Sequence, residues 1–295
     1  MERPAPIALL GLGLVGEALA GRLAEGGFAL AGWDPMPARC AALGARGVDI
    51  ATSAVTACHG ARFVLLALPD TPALQATLAE ITPVLAPGAI VLSFGTDDPD
   101  AIVAQAEALA RQGIGLLDVP LSGSSAQIAA GEAVIMGGGA IQAWASATPL
   151  LTTIAAAAFH MGAAGAGSRA KLATNLLLGL NRAALAESLV FAESLGLDPA
   201  SYIDLVRASP AYSRAVDAKA AKMLARDYAP QSRIRQHRKD IGLMLEAAHA
   251  AGRALPLTEA HARLLDRAIE AGDGELDNAA IIETIRRWPV AATPQ

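Results

Sequence analysis

A glycine-rich motif near the amino terminus restricts the possible folds of this chain more than any other feature. It reads Gly11-Leu12-Gly13-Leu14-Val15-Gly16, follows an apolar run at Pro6–Leu10 and opens a helical pattern at Leu14–Gly26. In a strand-turn-helix unit, the first glycine permits a tight turn, the second lets a pyrophosphate approach the backbone, and the third lets helix and strand pack closely. The motif therefore predicts a dinucleotide-binding turn.

Asp34 ends the next apolar run, Phe28–Trp33, eighteen residues after Gly16. A carboxylate at this position accepts hydrogen bonds from the adenosine ribose hydroxyls and repels a 2′-phosphate, which favours NAD. Arg39 is close enough in sequence to pair with such a phosphate, so NADP is also possible. The alternative interpretation is a chance glycine match, with Asp34 only capping the turn before Pro35; both roles of Asp34 are compatible.

Short apolar runs alternate with longer helical patterns up to about residue 138. The runs that we interpret as strands are Pro6–Leu10, Phe28–Trp33, Arg62–Leu68, Ala89–Ser93, Ile114–Val119 and Ala133–Met136. Continuous apolar runs are typical of strands buried on both faces, and segments such as Thr71–Leu85 and Pro99–Gln112 are long enough for crossover helices. The expected fold class is α/β, a doubly wound parallel sheet of Rossmann type that binds ligands at the carboxyl ends of its strands.

Helical periodicity replaces the strand pattern after about Gly162. Ser168 is in position to cap a long helix that ends at Leu195, before Gly196. Further helices are expected at Pro199–Ala208, Tyr212–Arg226, Arg238–Ala251, Pro256–Ala271 and Asn278–Arg287. We therefore expect a dinucleotide-binding domain at residues 1–162 and an all-helical substrate and dimerisation domain at residues 163–295. The long helix is apolar around much of its circumference, which favours burial between domains or subunits and a homodimer or homotetramer.

Composition excludes several classes of partner. Only 17% of the 295 residues are charged and the formal net charge is −5, which argues against nucleic acid or a membrane surface as the main partner. Cys40 and Cys58 are the two cysteines and form no C-x-x-C motif, and the five histidines are scattered without metal-ligand spacing. We therefore expect no disulfide framework, no metal site and a reducing, cytoplasmic location.

Lys171 and Asn175 lie four residues apart near the start of the long helix, so they project from one face. Because burying unpaired polar groups is costly, they must reach solvent or line a polar cleft. In a cleft, the lysine could give its proton to a carbonyl oxygen as hydride arrives at the carbon, and the asparagine could hold the carbonyl compound in place. The alternative is a solvated stripe.

Four ordered blocks resemble the signature blocks of the β-hydroxyacid dehydrogenases. They are Gly11–Gly16, Asp118–Gly123, Gly165–Asn175 and Lys239-Asp240. That family includes 3-hydroxyisobutyrate dehydrogenase and tartronate semialdehyde reductase. The resemblance covers essentially the whole chain. It implies an oxidoreductase that moves hydride reversibly between a nicotinamide cofactor and the β-hydroxyl carbon of a small hydroxyacid, or its semialdehyde.

The resemblance also implies cofactor-binding residues. The glycine loop and Asp34 hold the dinucleotide, Leu68-Pro69 runs beside it, and Thr96 lies near the nicotinamide ribose. Lys239 lies by the nicotinamide and the substrate. NAD is therefore the implied cofactor, with NADP as the alternative.

Five residues are implied for the substrate side. Ser122 and Gly123 bind the carboxylate of a small substrate through the hydroxyl and backbone N–H groups. Lys171 is the general acid/base, Asn175 orients the substrate, and Lys239 contacts it. If this assignment is right, Lys171 and Asn175 line a catalytic site instead of a solvated stripe.

The chain departs from the family pattern near the substrate. Ser124 stands where the family has glycine, and a usually apolar stretch ahead of Lys239 instead carries Arg233, Arg235 and Arg238. These arginines suit a second carboxylate, several hydroxyls or a phosphate on the substrate. The alternative is that they are solvated or meet another subunit.

Two other functions remain open. Imine reductases share a similar two-domain plan but as a rule lack the catalytic lysine, so Lys171 counts against them. A noncatalytic dinucleotide-binding module is the second alternative, and the presence of both Lys171 and Lys239 argues against it.

Overall fold

The computed structural model describes residues 7–289, so Pro6 of the first predicted strand lies outside the described part. The chain divides into two compact units that meet between Lys171 and Leu172. The strands of the first unit are β1 (Ile7–Leu10), β2 (Leu30–Trp33), β3 (Asp49–Ile50), β4 (Phe63–Leu66), β5 (Ile90–Ser93), β6 (Gly115–Asp118), β7 (Leu121–Ser122), β8 (Val134–Gly138) and β9 (Ala157–Gly162). Its helices are α1 (Leu14–Glu25), α2 (Pro37–Gly44), α3 (Ala54–Cys58), α4 (Thr71–Ile81), α5 (Pro99–Ala110), α6 (Ser125–Ala129) and α7 (Ile141–Ile154).

The sheet confirms the expected fold class. Strands β3, β2, β1, β4, β5 and β6 lie side by side in that order and all pair in parallel. The strand order reverses between β1 and β4, and such a switch point opens a ligand crevice at the carboxyl ends of the strands. The sheet therefore positions a binding site where the glycine loop leaves β1.

One edge of the sheet differs from the prediction of an all-parallel arrangement. Strand β8 pairs antiparallel with both β6 and β7, with Leu121 opposite Ile135. The segment between β6 and β8 contains the short strand β7 and the five-residue helix α6, and β7 itself pairs with β8. The chain therefore turns back on itself at this edge instead of crossing over in the same direction.

Two apolar layers bury the central strands from both sides. Alternate residues such as Leu9, Leu65, Leu92 and Leu117 belong to one layer, and their neighbours Ala8, Leu10, Val64, Leu66 and Val91 belong to the other. This period of two is the strand geometry that the continuous apolar runs predicted.

The second unit is helical, as expected. Its helices continue from α8 (Ala166–Ser194), which spans the boundary, through α9 (Pro199–Ala208), α10 (Arg214–Ala225), α11 (Ile234–Ala250), α12 (Pro256–Glu270) and α13 (Ile281–Arg286). Helix α11 begins four residues earlier than Arg238, the predicted start, and α13 is preceded by a 3₁₀ turn at Asn278–Ala280. Within residues 7–289, no helix is long and apolar enough to cross a membrane.

Asp118, at the end of β6, caps the long helix α8. Its Oδ1 accepts a hydrogen bond from the Gly165 N–H at 3.0 Å, and its Oδ2 accepts one from the Ser168 N–H at 2.7 Å. The predicted cap, Ser168, is wrong, because the helix begins at Ala166 and Ser168 already lies within its first turn. A carboxylate next to the free N–H groups of a helix N-terminus satisfies donors that the helix itself leaves unpaired.

The first turn of α8 packs directly on the sheet. A Cβ atom on Gly167 would lie 2.5 Å from the Asp118 carbonyl oxygen and 2.6 Å from that of Met136, so a side chain does not fit there. The boundary expected after residue 162 marks where the strand pattern ends. This first turn of α8 nevertheless belongs to the sheet unit, which extends to Lys171.

We predict that Asp118→Ala lowers the free energy of unfolding by about 2–4 kcal/mol, because it leaves two buried N–H groups without an acceptor. Denaturant unfolding of the full chain measures the loss. Asp198→Ala is the matched control: Asp198 caps α9 by accepting from the Ser201 N–H at 2.8 Å, but it is exposed, so its loss is smaller. Equal losses for the two variants would contradict a buried cap at Asp118.

Candidate functional site

The glycine loop between β1 and α1 has the geometry that its sequence predicts. Gly11 has φ +89°, and a Cβ atom there would collide with the Ala67 carbonyl oxygen. A Cβ atom on Gly16 would collide with the Gly11 carbonyl oxygen. The outer two glycines are therefore required by the chain's own close packing.

No residue of the described range 7–289 packs closely enough against Gly13 to require a glycine there, which leaves room for a ligand. The nearest atoms to a Cβ placed there belong to the Arg39 guanidinium, at 3.8 Å. Gly13 is the N-cap of α1, and no side chain caps this helix. The open backbone and the free N–H groups of the first turn fit a pyrophosphate.

Asp34 fixes the glycine loop from the end of β2. Its carboxylate is 4% exposed and accepts hydrogen bonds from the Leu12 N–H and the Met36 N–H, both at 2.8 Å. Arg39 adds an ion pair at 3.2 Å. Asp34 therefore has the turn-capping role, and its contact with the adenosine ribose stays a prediction.

The loops after β4 and β5 lie next to the glycine loop and to each other. A Cβ atom on Gly11 would lie 3.4 Å from Leu68 Cδ2, and one on Gly95 would lie 3.3 Å from the Leu68 carbonyl oxygen. Pro69 and Thr96 directly follow Leu68 and Gly95. The structure thus brings Leu68, Pro69 and Thr96 to one edge of the sheet with Gly11.

Sequence reasoning missed Asp97, a buried carboxylate next to Thr96. It is 2% exposed and accepts hydrogen bonds from Ser93 Oγ at 2.9 Å and Thr71 Oγ1 at 3.3 Å. Asp97 therefore fixes the backbone of the loop that contains Thr96. The sequence shows this carboxylate in the run Thr96-Asp97-Asp98. Because charged residues in loops are usually solvated, the run by itself does not predict a buried group.

Lys171 lies beside the segment expected to bind the substrate carboxylate. Its side chain is buried, and Nζ donates a hydrogen bond to the Leu121 carbonyl oxygen at 2.6 Å. Ser122 and Gly123 follow Leu121 directly. The structure thus brings these three candidate residues together in the first unit.

Ser124, which departs from the family pattern, caps the short helix α6. Its hydroxyl accepts from the Gln127 N–H, and the Gln127 side chain accepts from the Ser124 N–H. This reciprocal capping box explains the serine locally. Gly123, just before it, has φ +150°, which favours glycine.

In the second unit, Asp240 links two of the predicted residues. Asn175 Nδ2 donates to Asp240 Oδ2 at 3.3 Å, and Lys239 Nζ lies 3.6 Å from Asp240 Oδ1. Asp240 is 6% exposed. It was visible in the Lys239-Asp240 block but received no role, because its contact with α8 spans 65 residues of sequence.

The three arginines of the unusual segment have carboxylate partners of their own. Arg233 and Arg235 pair with Glu275 at 3.3 and 3.0 Å, and Arg238 pairs with Asp266 at 2.6 Å. The Glu275 side chain is 67% exposed. These pairs favour the surface alternative over substrate selection. Among the described residues, no group of histidine, cysteine and carboxylate side chains is arranged to hold a metal ion.

Comparison with known families identifies both units. Residues 6–162 match the NAD binding domain of 6-phosphogluconate dehydrogenase. Residues 165–285 match the family described as NAD-binding of NADP-dependent 3-hydroxyisobutyrate dehydrogenase. The cofactor cradle in the first unit agrees with these matches, and the cofactor is NAD, with NADP possible.

Individual relatives align over nearly the whole chain. L-threonate dehydrogenase of Cupriavidus necator is 31% identical over 94% of this chain and 95% of its own, and 2-(hydroxymethyl)glutarate dehydrogenase of Eubacterium barkeri is 29% identical over 96% and 95%. The structure of Mycobacterium tuberculosis 3-hydroxyisobutyrate dehydrogenase with L-serine covers 96% of this chain and 100% of its own, with a TM-score of 0.88 and 28% identity. The chain therefore belongs to the β-hydroxyacid dehydrogenase family, and it is an NAD(P)-dependent oxidoreductase of hydroxyacids.

Proposed function

We propose that this enzyme interconverts a small β-hydroxyacid and its semialdehyde, with Lys171 as the general acid/base. The observation that carries the proposal is the buried Lys171 ammonium, which is held by the Leu121 carbonyl oxygen next to Ser122 and Gly123. A lysine fixed in this way keeps its proton at a defined position beside a segment suited to a carboxylate.

The dinucleotide, when bound, supplies or accepts the hydride at the reacting carbon. In the reducing direction the carbonyl oxygen gains negative charge, and Lys171 Nζ gives it a proton, so that the product is a neutral hydroxyl. In the oxidising direction Lys171 removes the hydroxyl proton. The Ser122 hydroxyl and the Gly123 N–H orient the substrate carboxylate. Asn175 and Lys239, which both contact Asp240, are the other polar side chains proposed to orient the substrate.

The alternatives are less well supported. An imine reductase from a Pseudomonas species has a TM-score of 0.67 at 23% identity, which is a likeness of fold alone. Lys171 favours carbonyl and hydroxyl chemistry over imine reduction. A noncatalytic module would need neither a buried lysine nor the Asp240 contacts.

We predict that Lys171→Ala lowers kcat by about 10²–10⁴-fold, which is the usual contribution of a positioned acid/base. Binding of NADH should persist, because the glycine loop and Asp34 are untouched. Lys171→Arg should rescue poorly, since a guanidinium stays protonated and is a weak acid. Single-turnover rates with a hydroxyacid panel and NADH titration measure both effects.

One outcome would contradict this mechanism. A Lys171→Ala enzyme that turns over within a few-fold of the parent removes the lysine from the chemistry. Parallel loss of NADH binding would indicate a general folding defect instead of a lost proton donor.

Cofactor preference provides a second test. Asp34→Asn combined with Pro35→Arg removes the repulsion of a 2′-phosphate and adds a cation, so the ratio of kcat/KM for NADP over NAD should rise about tenfold or more. The introduced amide keeps one oxygen acceptor for the bonds that fix the glycine loop. Arg39→Met is the control: if the parent already prefers NADP and this change abolishes that preference, Arg39 rather than Asp34 selects the cofactor.

The enzyme is also proposed to act as a homodimer or homotetramer in the cytoplasm. Leu177, Ala184 and Phe191 recur every seven residues on α8, and all three are exposed, Phe191 by 64%. A second copy of the chain would bury this apolar stripe. The two free thiols, Cys40 and Cys58, suit a reducing compartment.

We predict that Phe191→Glu lowers the mass measured by light scattering, because a carboxylate cannot be buried in an apolar interface. Leu257→Glu is the control, since Leu257 is 69% exposed on a different helix, α12. A parent chain that is monomeric at micromolar concentration would overturn this assembly.

A further inference from the structure

A buried arginine occupies the interior of the helical unit. Arg182, on α8, is 4% exposed, and its Nε and Nη2 atoms are buried with no hydrogen-bond partner among residues 7–289. Burial lowers the pKa of Arg182 to about 10, against an opposing attraction by Asp277. The side chain is therefore still a cation at neutral pH.

Asp277 attracts Arg182 but is already saturated by other donors. Its Oδ1 accepts from Lys219 Nζ at 2.8 Å, and its Oδ2 accepts from the Gln231 N–H at 2.9 Å. The same carboxylate accepts two further backbone N–H bonds. Arg182 thus has a neighbouring carboxylate but no hydrogen bond to it.

Charge around Arg182 does not balance. Arg182 is a buried cation, Lys219 is a second cation whose side chain is 12% exposed, and the buried carboxylate of Asp277 attracts both. Among these three groups the surplus is one positive charge. An uncompensated buried charge is among the most destabilising features a core can contain. A trapped water would satisfy the N–H donors, but only an anion would also neutralise the charge.

Two histidines lie on the same side of α8. A Cβ atom on Gly179, one turn before Arg182, would lie 2.5 Å from His237 Nε2 and 3.0 Å from His261 Cε1. Glycine inside a helix costs about 1 kcal/mol relative to alanine, and here it allows the two rings to lie close to α8. Burial first, and then the charge of Arg182, lower the pKa of His261 to about 4.

A neutral His261 can still donate one N–H bond. Its Nε2 atom is buried without a partner among the described residues. The Arg182 guanidinium has two nitrogens without an acceptor among the described residues, and the neutral His261 imidazole lies close to it. Together they form a set of N–H donors, because the neighbouring carboxylate, Asp277, already accepts four hydrogen bonds. This is the chemistry that recognises a small anion.

We propose that Arg182, with His261, binds a small free anion, inorganic or carboxylate, inside the helical unit. Such an anion presents a compact negative charge that accepts N–H bonds. The site itself does not depend on hydride transfer, so it can be tested in the protein without cofactor or substrate.

The main experiment follows thermal unfolding of the full chain at constant ionic strength, with a bulky sulfonate exchanged stepwise for chloride, nitrate or acetate. An occupied site predicts a saturable rise in Tm of about 5–10 °C at a hundredfold excess over Kd. Arg182→Met should abolish this rise and should itself have a higher Tm than the parent in the bulky sulfonate, because it removes the uncompensated charge. Arg182→Lys, with the charge but fewer donors, should bind about tenfold more weakly.

Arg207→Met is the matched control for general salt effects. Arg207 is an exposed arginine of the same unit, paired with Asp204 and Asp217, and its loss should leave the anion-dependent rise unchanged. A parent Tm that is the same in all four salts, or a rise that persists in Arg182→Met, overturns the proposal and leaves water as the partner of Arg182.

Discussion

The clamp between Asp118 and the first turn of α8 is the interaction on which the proposed chemistry depends. Asp118 ends β6 and fixes the Gly165 and Ser168 N–H groups, so a rigid strand defines where α8 begins. Lys171 follows one turn later, and its ammonium reaches the Leu121 carbonyl oxygen just beyond β6. The proposed acid/base is thus held by a strand and a helix at once, which leaves it little freedom to leave its position.

Buried carboxylates organise the rest of the sheet unit in the same way. Asp34 joins the end of β2 to the glycine loop, and Asp97 joins the loop after β5 to the start of α4 through Thr71. Each accepts donors from two separate segments. Such bonds to a charged acceptor are stronger than neutral ones, so a few side chains fix the loops that surround a cofactor cradle.

The helical unit contains a different kind of polar interior. Asp240 there links Asn175 to Lys239, which resembles the loop-fixing carboxylates of the sheet unit. Arg182 lies seven residues beyond Asn175 on α8 and has no equivalent partner among the described residues. Its surplus charge is the feature of this unit that the packing of the chain alone does not explain.

The sequence by itself determined the α/β class, the glycine loop, the place of Asp34 directly after a strand, and most helix positions to within a few residues. Each of these follows from local spacing and periodicity. It could not determine that β8 runs antiparallel, since the strand pattern is the same in both directions. Only the tertiary structure decided that Asp118 rather than Ser168 caps α8, and that Arg182 is buried while Arg233 and Arg235 are exposed. Those facts depend on contacts between residues far apart in sequence, which no local pattern encodes.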